Sequence, residues 1–156
     1  MKAYKTENLR NIALVSHGGA GKTALGDAML YVSGAVKRLG KVDDGTSIFD
    51  YDPEEIKRKT TINAAVAPCD WNDTKINIVD TPGYFDFVGE VKSALSSVDA
   101  AVIVVCASSG VEIGTENVWS YAEEYNKARA VFINKMDREN ANFQKTYESL
   151  REQFGT

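Results

Sequence analysis

The chain has 156 residues, and 44% of them are hydrophobic, which is enough apolar material for the core of one domain. Its 18 Lys and Arg residues against 22 Asp and Glu residues give a net charge of -4, which argues against a broad electrostatic contact with nucleic acid, so we expect no DNA partner. No apolar stretch reaches the roughly 18 residues of a membrane span, and the polar first ten residues do not resemble a signal peptide. We therefore expect a cytoplasmic protein without a membrane partner.

In the first half of the chain, residues 11–16 form an apolar run of strand length, followed by glycines and then by apolar residues at helical spacing up to Val32. Residues 33–59 carry scattered Gly and Pro in a charged stretch, which predicts a long loop of functional importance. The extended runs 62–71 and 75–79 flank Asn72 and Asp73, which predicts an antiparallel hairpin. The isolated Cys69 and Cys106 lack paired spacing, so we expect reduced thiols in the core.

In the second half, helical stripes at 87–98, 118–125 and 143–154 alternate with apolar runs at 100–107 and 130–133. Strands that alternate with helices at this spacing predict an α/β fold with a mainly parallel sheet covered on both faces. The hairpin contributes one antiparallel strand. We find no repeat or linker, so residues 1–156 are interpreted as one domain.

The first chemical motif lies between the first strand and the first helix, where a phosphate-binding loop belongs. It comprises Ser16, His17, Gly18, Gly19, Ala20, Gly21, Lys22 and Thr23. Glycines let backbone N–H groups turn toward phosphate oxygens, and the helix N-terminus adds its positive dipole. Lys22 would reach the β- and γ-phosphates, and Thr23 would offer its hydroxyl to magnesium. The alternative is a glycine-rich turn that precedes Lys-Thr by chance.

The second motif, Asp80-Thr81-Pro82-Gly83, directly follows a predicted strand. Asp80 could hold magnesium, usually through water, and the backbone N–H of Gly83 could donate to a γ-phosphate. Taken alone, this sequence is equally compatible with an ordinary turn. Its position behind the phosphate loop favours the functional interpretation.

The third motif, Asn134-Lys135-Met136-Asp137, follows the last predicted strand. The carboxylate of Asp137 can accept two hydrogen bonds from N1 and N2 of guanine, and adenine offers no such donor pair. Asn134 would fix the loop, and the stem of Lys135 would lie along the purine. An ATPase or ATP-dependent kinase would explain Lys22 and Asp80 but would leave this motif without a role.

The order and spacing of these motifs resemble the GTP-binding domain of translational GTPases, in particular of elongation factor G and the elongation factor G-like proteins. Further matching residues are Arg58, Thr61, Ile62, Trp71, Asp86, Phe87, Asp137, Arg138, Asn142 and Phe143. The resemblance implies the three-layer sandwich of a P-loop NTPase, with GTP or GDP and Mg²⁺ as ligands. It also implies a GTPase that the ribosome stimulates.

The resemblance assigns further roles and shows several departures. Thr61 matches the threonine that binds magnesium and senses the γ-phosphate, so residues 35–61 would form switch I, here called the switch I segment. Lys22 and Gly83 would act in hydrolysis with Tyr84, which stands where elongation factors carry a histidine that positions water. A phenol cannot become a cation near neutral pH, so we expect slow intrinsic hydrolysis, and the alternative function is a regulatory module that binds GTP but hydrolyses little.

Other departures concern the loops of the site. Ser16 replaces a glycine and Gly19 replaces an aspartate of the phosphate loop, while Lys59 and Thr60 replace Gly and Ile of switch I. The backbone position of His17 in the loop explains that residue without a catalytic role.

Domains of this family continue beyond the helix that ends near residue 154. There they carry an inserted subdomain, a strand with a Ser-Ala base-contact loop, and a final helix. We therefore expect this chain to be an N-terminal fragment that lacks the last base-contact loop, strand and helix. An uncovered sheet edge would weaken its nucleotide affinity and favour self-association.

Overall fold

The computed structural model describes residues 3–155 and shows a five-stranded sheet with helices on both faces. The strands are β1 (Leu9–Val15), β2 (Ala65–Trp71), β3 (Thr74–Asp80), β4 (Ala100–Cys106) and β5 (Ala128–Asn134). The helices are α1 (Lys22–Val32), α2 (Pro53–Arg58), α3 (Val88–Ser97), α4 (Ile113–Glu124) and α5 (Phe143–Phe154). The strand order is β2-β3-β1-β4-β5, and only the β2–β3 pair is antiparallel. The predicted α/β fold class is confirmed.

Parallel pairing gathers the carboxyl ends of four strands at one edge of the sheet. The first motif directly follows β1, and the second and third motifs begin at the last residues of β3 and β5. Because the ends of parallel strands point the same way, the three motif loops meet at this edge. The candidate site is thus positioned by the sheet itself.

The core lies on both faces of β1, because successive side chains of a strand point to opposite sides. Ala13 and Val15 pack into a cluster with α3, α4 and α5. Leu14 packs into a second cluster with Leu30 of α1 and with Phe49 of the switch I segment. The sheet is therefore covered by three helices on one face and by α1 with the switch I segment on the other.

The prediction of an uninterrupted loop over residues 33–59 is wrong, because this stretch contains α2. Asp52 caps the helix by accepting a hydrogen bond from the N–H of Glu54 (2.7 Å), and the N–H of Asp52 donates to Glu55 Oε2 (3.2 Å). Pro53 occupies the first turn, where its missing N–H costs nothing. The helix ends at Arg58, and Lys59 directly after it has a left-handed backbone (φ 54°), the conformation that commonly terminates a helix.

The predicted hairpin is present, with Asn72 and Asp73 both at positive φ in its turn. Its first strand begins at Ala65 rather than at residue 62. The N–H groups of Ile62 and Asn63 each donate to Glu55 Oε1 (2.9 Å) and therefore do not join the ladder with β3. The two residues that follow the switch I segment are thus held by Glu55 before the sheet starts.

The two cysteines match their prediction, since both are buried and free. Within residues 3–155, none of the helices combines the length and the apolar character that a membrane crossing requires.

Candidate nucleotide-binding site

The phosphate loop connects β1 to α1, and two of its glycines have left-handed backbones. Gly19 has φ 78° and Gly21 has φ 95°, conformations that side chains with a Cβ rarely adopt. Gly21 is the N-cap of α1, so the helix begins directly at Lys22. The first N–H groups of this helix lack partners within it and are available to an anion.

Lys22 is buried under the loop and is held by the residues that precede it. Its Nζ donates hydrogen bonds to Ser16 Oγ (2.9 Å) and to the carbonyl of His17 (3.4 Å). Burial lowers the pKa of Lys22 to about 8, and the nearby carboxylates of Asp80 and Asp50 oppose this shift. Ser16, which replaces the usual glycine, therefore supplies an acceptor for the lysine.

Thr23, Thr61 and Asp80 lie together behind the loop. Thr23 Oγ1 donates to Asp80 Oδ2 (2.6 Å) and lies 3.0 Å from Thr61 Oγ1. Burial raises the pKa of Asp80 to about 7, and the hydrogen bond from Thr23 and the charge of Lys22 oppose the rise. Across the described residues, Asp80 Oδ1 is buried without a hydrogen-bond partner.

These oxygens fit a magnesium ion, a hard cation that takes oxygen ligands, usually one or two carboxylates among them, and retains several waters. The buried, unpartnered Asp80 Oδ1 adds an acceptor that a cation or its water would satisfy. Residues 3–155 hold no cluster of three or more His, Cys, Asp or Glu side chains suited to a metal. The mixed set of two threonines and one aspartate is therefore the candidate.

Gly83 and Tyr84 pack directly against the phosphate loop. A Cβ at Gly83 would lie 2.6 Å from Lys22 Nζ and 2.7 Å from the Cα of Gly18, so this position has room only for glycine. A Cβ at Gly18 would lie 3.4 Å from Cζ of Tyr84, whose side chain is 53% exposed. The phenol ring therefore lies at the mouth of the site, beside the loop.

Two residues of the third motif are attached to the phosphate loop. Asn134 Nδ2 donates to the carbonyl of Ala20 (3.0 Å), and Lys135 Nζ donates to the carbonyl of Gly19. Asp137 is exposed in the loop after β5. The loop predicted to bind the base thus braces the loop predicted to bind phosphates.

A cavity of about 420 Å³ lies between these loops. It is lined by Gly18, Gly19, Gly21, Lys22, Thr23, Ala24, Val42, Asp43, Lys59, Thr60, Thr61, Gly83, Tyr84, Lys135 and Arg138. Residues predicted from all three motifs and from the switch I segment therefore surround one space. Among the predicted site residues, Ser16, His17, Ala20, Asp80, Asn134 and Asp137 are not part of this lining.

The family of the domain follows from its sequence over nearly the whole chain. Residues 7–156 match the sequence profile of the family described as the elongation factor Tu GTP binding domain. The chain belongs to this family. The assignment to the GTP-binding domains of translational GTPases is therefore confirmed.

Individual relatives of this GTP-binding domain are much longer than the chain. It is 43% identical over all of its 156 residues to a mitochondrial ribosome-releasing factor 2 from Candida dubliniensis, and it covers 19% of that protein. It also superposes on a crystal structure of a protein from Thermus thermophilus with a TM-score of 0.90 and 42% identity. That match covers 94% of this chain and 22% of the other one. The chain thus spans about a fifth of the length of these relatives.

Several contacts of the GTP-binding domain were not predicted from its sequence. His17 Nε2 lies 3.6 Å from Glu112 Oε1, next to the start of α4, and a Cβ at Gly114 would collide with His17. Thr61 Oγ1 donates to Asp50 Oδ1 (2.7 Å), which places a second buried carboxylate behind the magnesium candidates. Arg138, to which the sequence assigns no role in the site, lines the cavity.

Proposed function

We propose that this domain binds GTP and GDP together with Mg²⁺ and hydrolyses GTP to GDP and phosphate. The observation that carries this proposal is the convergence of three motif loops and the switch I segment on one cavity of about 420 Å³. This volume lies within the range of about 300–1,000 Å³ that is typical of small-molecule sites. Membership of the elongation factor GTP-binding family supports guanine nucleotide as the ligand.

The binding roles follow from the positions of the loops. The N–H groups at the start of α1 and Nζ of Lys22 would hold the β- and γ-phosphates. Asp137 would accept hydrogen bonds from the guanine edge. Asn134 and Lys135 would fix the base-binding loop against the phosphate loop through the hydrogen bonds that they already donate.

Thr23, Thr61 and Asp80 would hold Mg²⁺, the first two through hydroxyl oxygens and the third through its carboxylate or a bound water. The ion would neutralise charge on the β- and γ-phosphate oxygens. Because Thr61 belongs to the switch I segment, its position would respond to the presence of the γ-phosphate.

In hydrolysis, a water oxygen attacks the γ-phosphorus while the bond to the β–γ bridging oxygen breaks. The products are GDP and inorganic phosphate, which receives the proton of the water. Lys22 and the N–H of Gly83 would stabilise the charge on the transferred group, and Tyr84 would contribute one hydrogen bond to the water. Catalysis then depends on positioning and electrostatics.

The partner that we propose for a protein with this domain is the ribosome, which agrees with the name of the Candida dubliniensis relative, a ribosome-releasing factor. GTP turnover measured with and without ribosomes tests the proposal, and stimulation by ribosomes is the expected result. A cytoplasmic location stays a prediction, since that relative is named as a mitochondrial protein.

A second candidate function is a regulatory module that binds GTP but hydrolyses it slowly, and Tyr84 beside Gly18 favours it. We expect the Tyr84→His variant to raise GTP turnover by about tenfold or more, because an imidazole can orient water and carry charge near neutral pH. The Tyr84→Phe variant is the control, because it keeps the ring and removes the hydroxyl. Equal turnover of the His variant and the wild type, both with and without ribosomes, would contradict this view.

We also propose that the 156-residue chain self-associates through β5, an edge strand of the described sheet. Val131 (40% exposed) and Phe132 (43%) lie on this strand beside an apolar groove of about 590 Å³ that Phe143 and Tyr147 help to line. Exposed apolar edges favour pairing with a second copy. Light scattering should show concentration-dependent oligomers that the Val131→Lys variant reduces. A monomer at every concentration, with micromolar or tighter GDP binding, would contradict both this proposal and the predicted weak affinity.

A further inference from the structure

The switch I segment contacts α1 through a buried aromatic ring. Phe49 is only 1% exposed and packs with Leu14 and Leu30 in the core cluster on this face of the sheet. A Cβ at Gly26 would lie 2.7 Å from Cε2 of Phe49, so the ring occupies the space that any larger residue at this position would need. The absence of a side chain at Gly26 thus leaves the space that the Phe49 ring fills.

The next residue of α1 holds the same segment through its backbone. Asp27 is completely buried, and its Oδ1 accepts a hydrogen bond from the N–H of Ile48 (3.0 Å). Its Oδ2 has no hydrogen-bond partner in the part of the chain that the structure describes. A Cβ at Gly40 would lie 2.7 Å from Asp27 Oδ1, so an earlier part of the segment also lies against this carboxylate. Two consecutive residues of α1 therefore contact two consecutive residues of the segment.

The contact continues to the candidate magnesium site. Asp50, directly after Phe49, is buried and accepts a hydrogen bond from Thr61 Oγ1 (2.7 Å). Thr61 Oγ1 in turn lies 3.0 Å from Thr23 Oγ1. A displacement of Phe49 from α1 would carry Asp50 with it and would remove the acceptor that orients Thr61.

We propose that Gly26 and Asp27 form a docking site on α1 for residues 47–50, and that Phe49 and Asp27 are positioning residues that hold Thr61 in the nucleotide site. Neither Phe49 nor Asp27 lines the cavity, so both act through other residues. The effect on nucleotide binding rests on the proposed function. The docking itself involves only contacts within the chain.

The docking of residues 47–50 on α1 also determines whether α2 stays folded. This helix has six residues, and isolated helices shorter than about 12 residues are marginal in water. Its exposed face includes Lys57 and Arg58, and Lys59 follows directly, so three trypsin sites lie at its end. When the segment leaves α1, we expect the helix to unfold and these bonds to become accessible to the protease.

Limited trypsin digestion of the nucleotide-free 156-residue chain, read by mass spectrometry, tests the docking site. We expect Phe49→Ala to raise the rate of cleavage after residues 57–59 by about tenfold or more. The matched control is Ile48→Ala, because Ile48 is 46% exposed and the variant keeps the backbone N–H that donates a hydrogen bond to Asp27. Equal cleavage rates of the two variants would overturn the proposal.

A second pair of variants keeps the test valid if Phe49→Ala unfolds the domain. Gly26→Ala places a methyl group where the Phe49 ring lies, whereas Gly89→Ala in α3 adds the same group in open space. Alanine has a higher helix propensity than glycine, so neither change should weaken its own helix. We expect faster cleavage only in the Gly26 variant. Unchanged cleavage, with the same circular dichroism melting curve as the control, would refute the docking site.

The consequence for Thr61 is tested by binding. In Mg²⁺ buffer, Phe49→Ala should lose affinity for a non-hydrolysable GTP analogue by about tenfold while its GDP affinity changes much less, because only the γ-phosphate requires the ordered segment. Equal losses for both nucleotides would overturn the positioning role. Failure of the wild type to bind either nucleotide would refute the proposed function but would leave the digestion result unchanged.

Discussion

Replacing Asp137 with alanine is expected to abolish the preference of this domain for guanine nucleotides. The carboxylate can accept hydrogen bonds from both N1 and N2 of guanine, and each hydrogen bond to a charged group contributes about 1.5–3 kcal/mol. Loss of both should weaken GDP binding about hundredfold or more. Calorimetric titration of wild type and variant with GDP, GTP and ATP in Mg²⁺ buffer measures the change.

The matched control is Glu139→Ala, which removes a second exposed carboxylate from the same loop without touching the motif. We expect this control to bind GDP like the wild type and to discriminate against ATP as strongly. Retained guanine selectivity in Asp137→Ala would contradict the assignment of the third motif. ATP binding by the wild type would instead favour the ATPase interpretation.

Replacing Asp80 with asparagine should make the stability of the nucleotide-free protein less sensitive to pH. The same change should weaken Mg²⁺-dependent nucleotide binding. The pKa of this carboxyl is about 7 in the folded chain against an ordinary value of 3.8, because burial disfavours its charge. The folded state therefore binds more protons than the unfolded state between these values. Stability from this group is greatest below about pH 4 and is lost as the pH rises to about 7, by an amount on the order of 4 kcal/mol.

An amide at this position cannot titrate, so the Asp80→Asn variant should show a smaller loss of stability than the wild type when urea unfolding is compared at about pH 5 and about pH 7.5. It should also lose Mg²⁺-dependent nucleotide binding, because an amide is a poor substitute for a carboxylate ligand. The exposed Asp70→Asn variant is the control for general charge effects. If the free energies of unfolding of wild type and Asp80→Asn changed equally with pH, burial would not shift the pKa of this carboxyl.

The main features of the fold and the positions of the motif loops could be predicted from the sequence because they depend on local signals. Apolar runs of strand length identify β1 and β4, and each motif begins at the last residue of a strand or directly after it. Parallel pairing then brings the loops together without further information. The hydrogen bonds from Asn134 and Lys135 to the phosphate loop are consistent with this placement, because both residues belong to a motif at the same edge of the sheet.

The interior of the switch I segment could not be predicted because its contacts are distant in sequence and leave no periodic pattern. The sequence around Asp27 in α1 does not indicate that its carboxylate accepts a hydrogen bond from the N–H of Ile48. The position of Phe49 likewise depends on Gly26, which is distant from it in the chain. By contrast, Asp52, Pro53 and Glu55 form a recognisable helix start. The helix that they begin has only six residues, which is too short for the apolar stripe by which a helix is predicted from sequence.

The left-handed backbone of Lys59 bears on the balance that we propose between an ordered and a released switch I segment. A residue with a Cβ is disfavoured in this conformation by roughly 1 kcal/mol relative to glycine, and that cost disappears when α2 unfolds. An energy of this size changes the ratio of the two states about fivefold toward release. If the proposed function holds, Lys59 would therefore favour the released switch I segment. The Phe49 contact and the γ-phosphate would then together have to supply more stabilisation than they would if glycine occupied position 59.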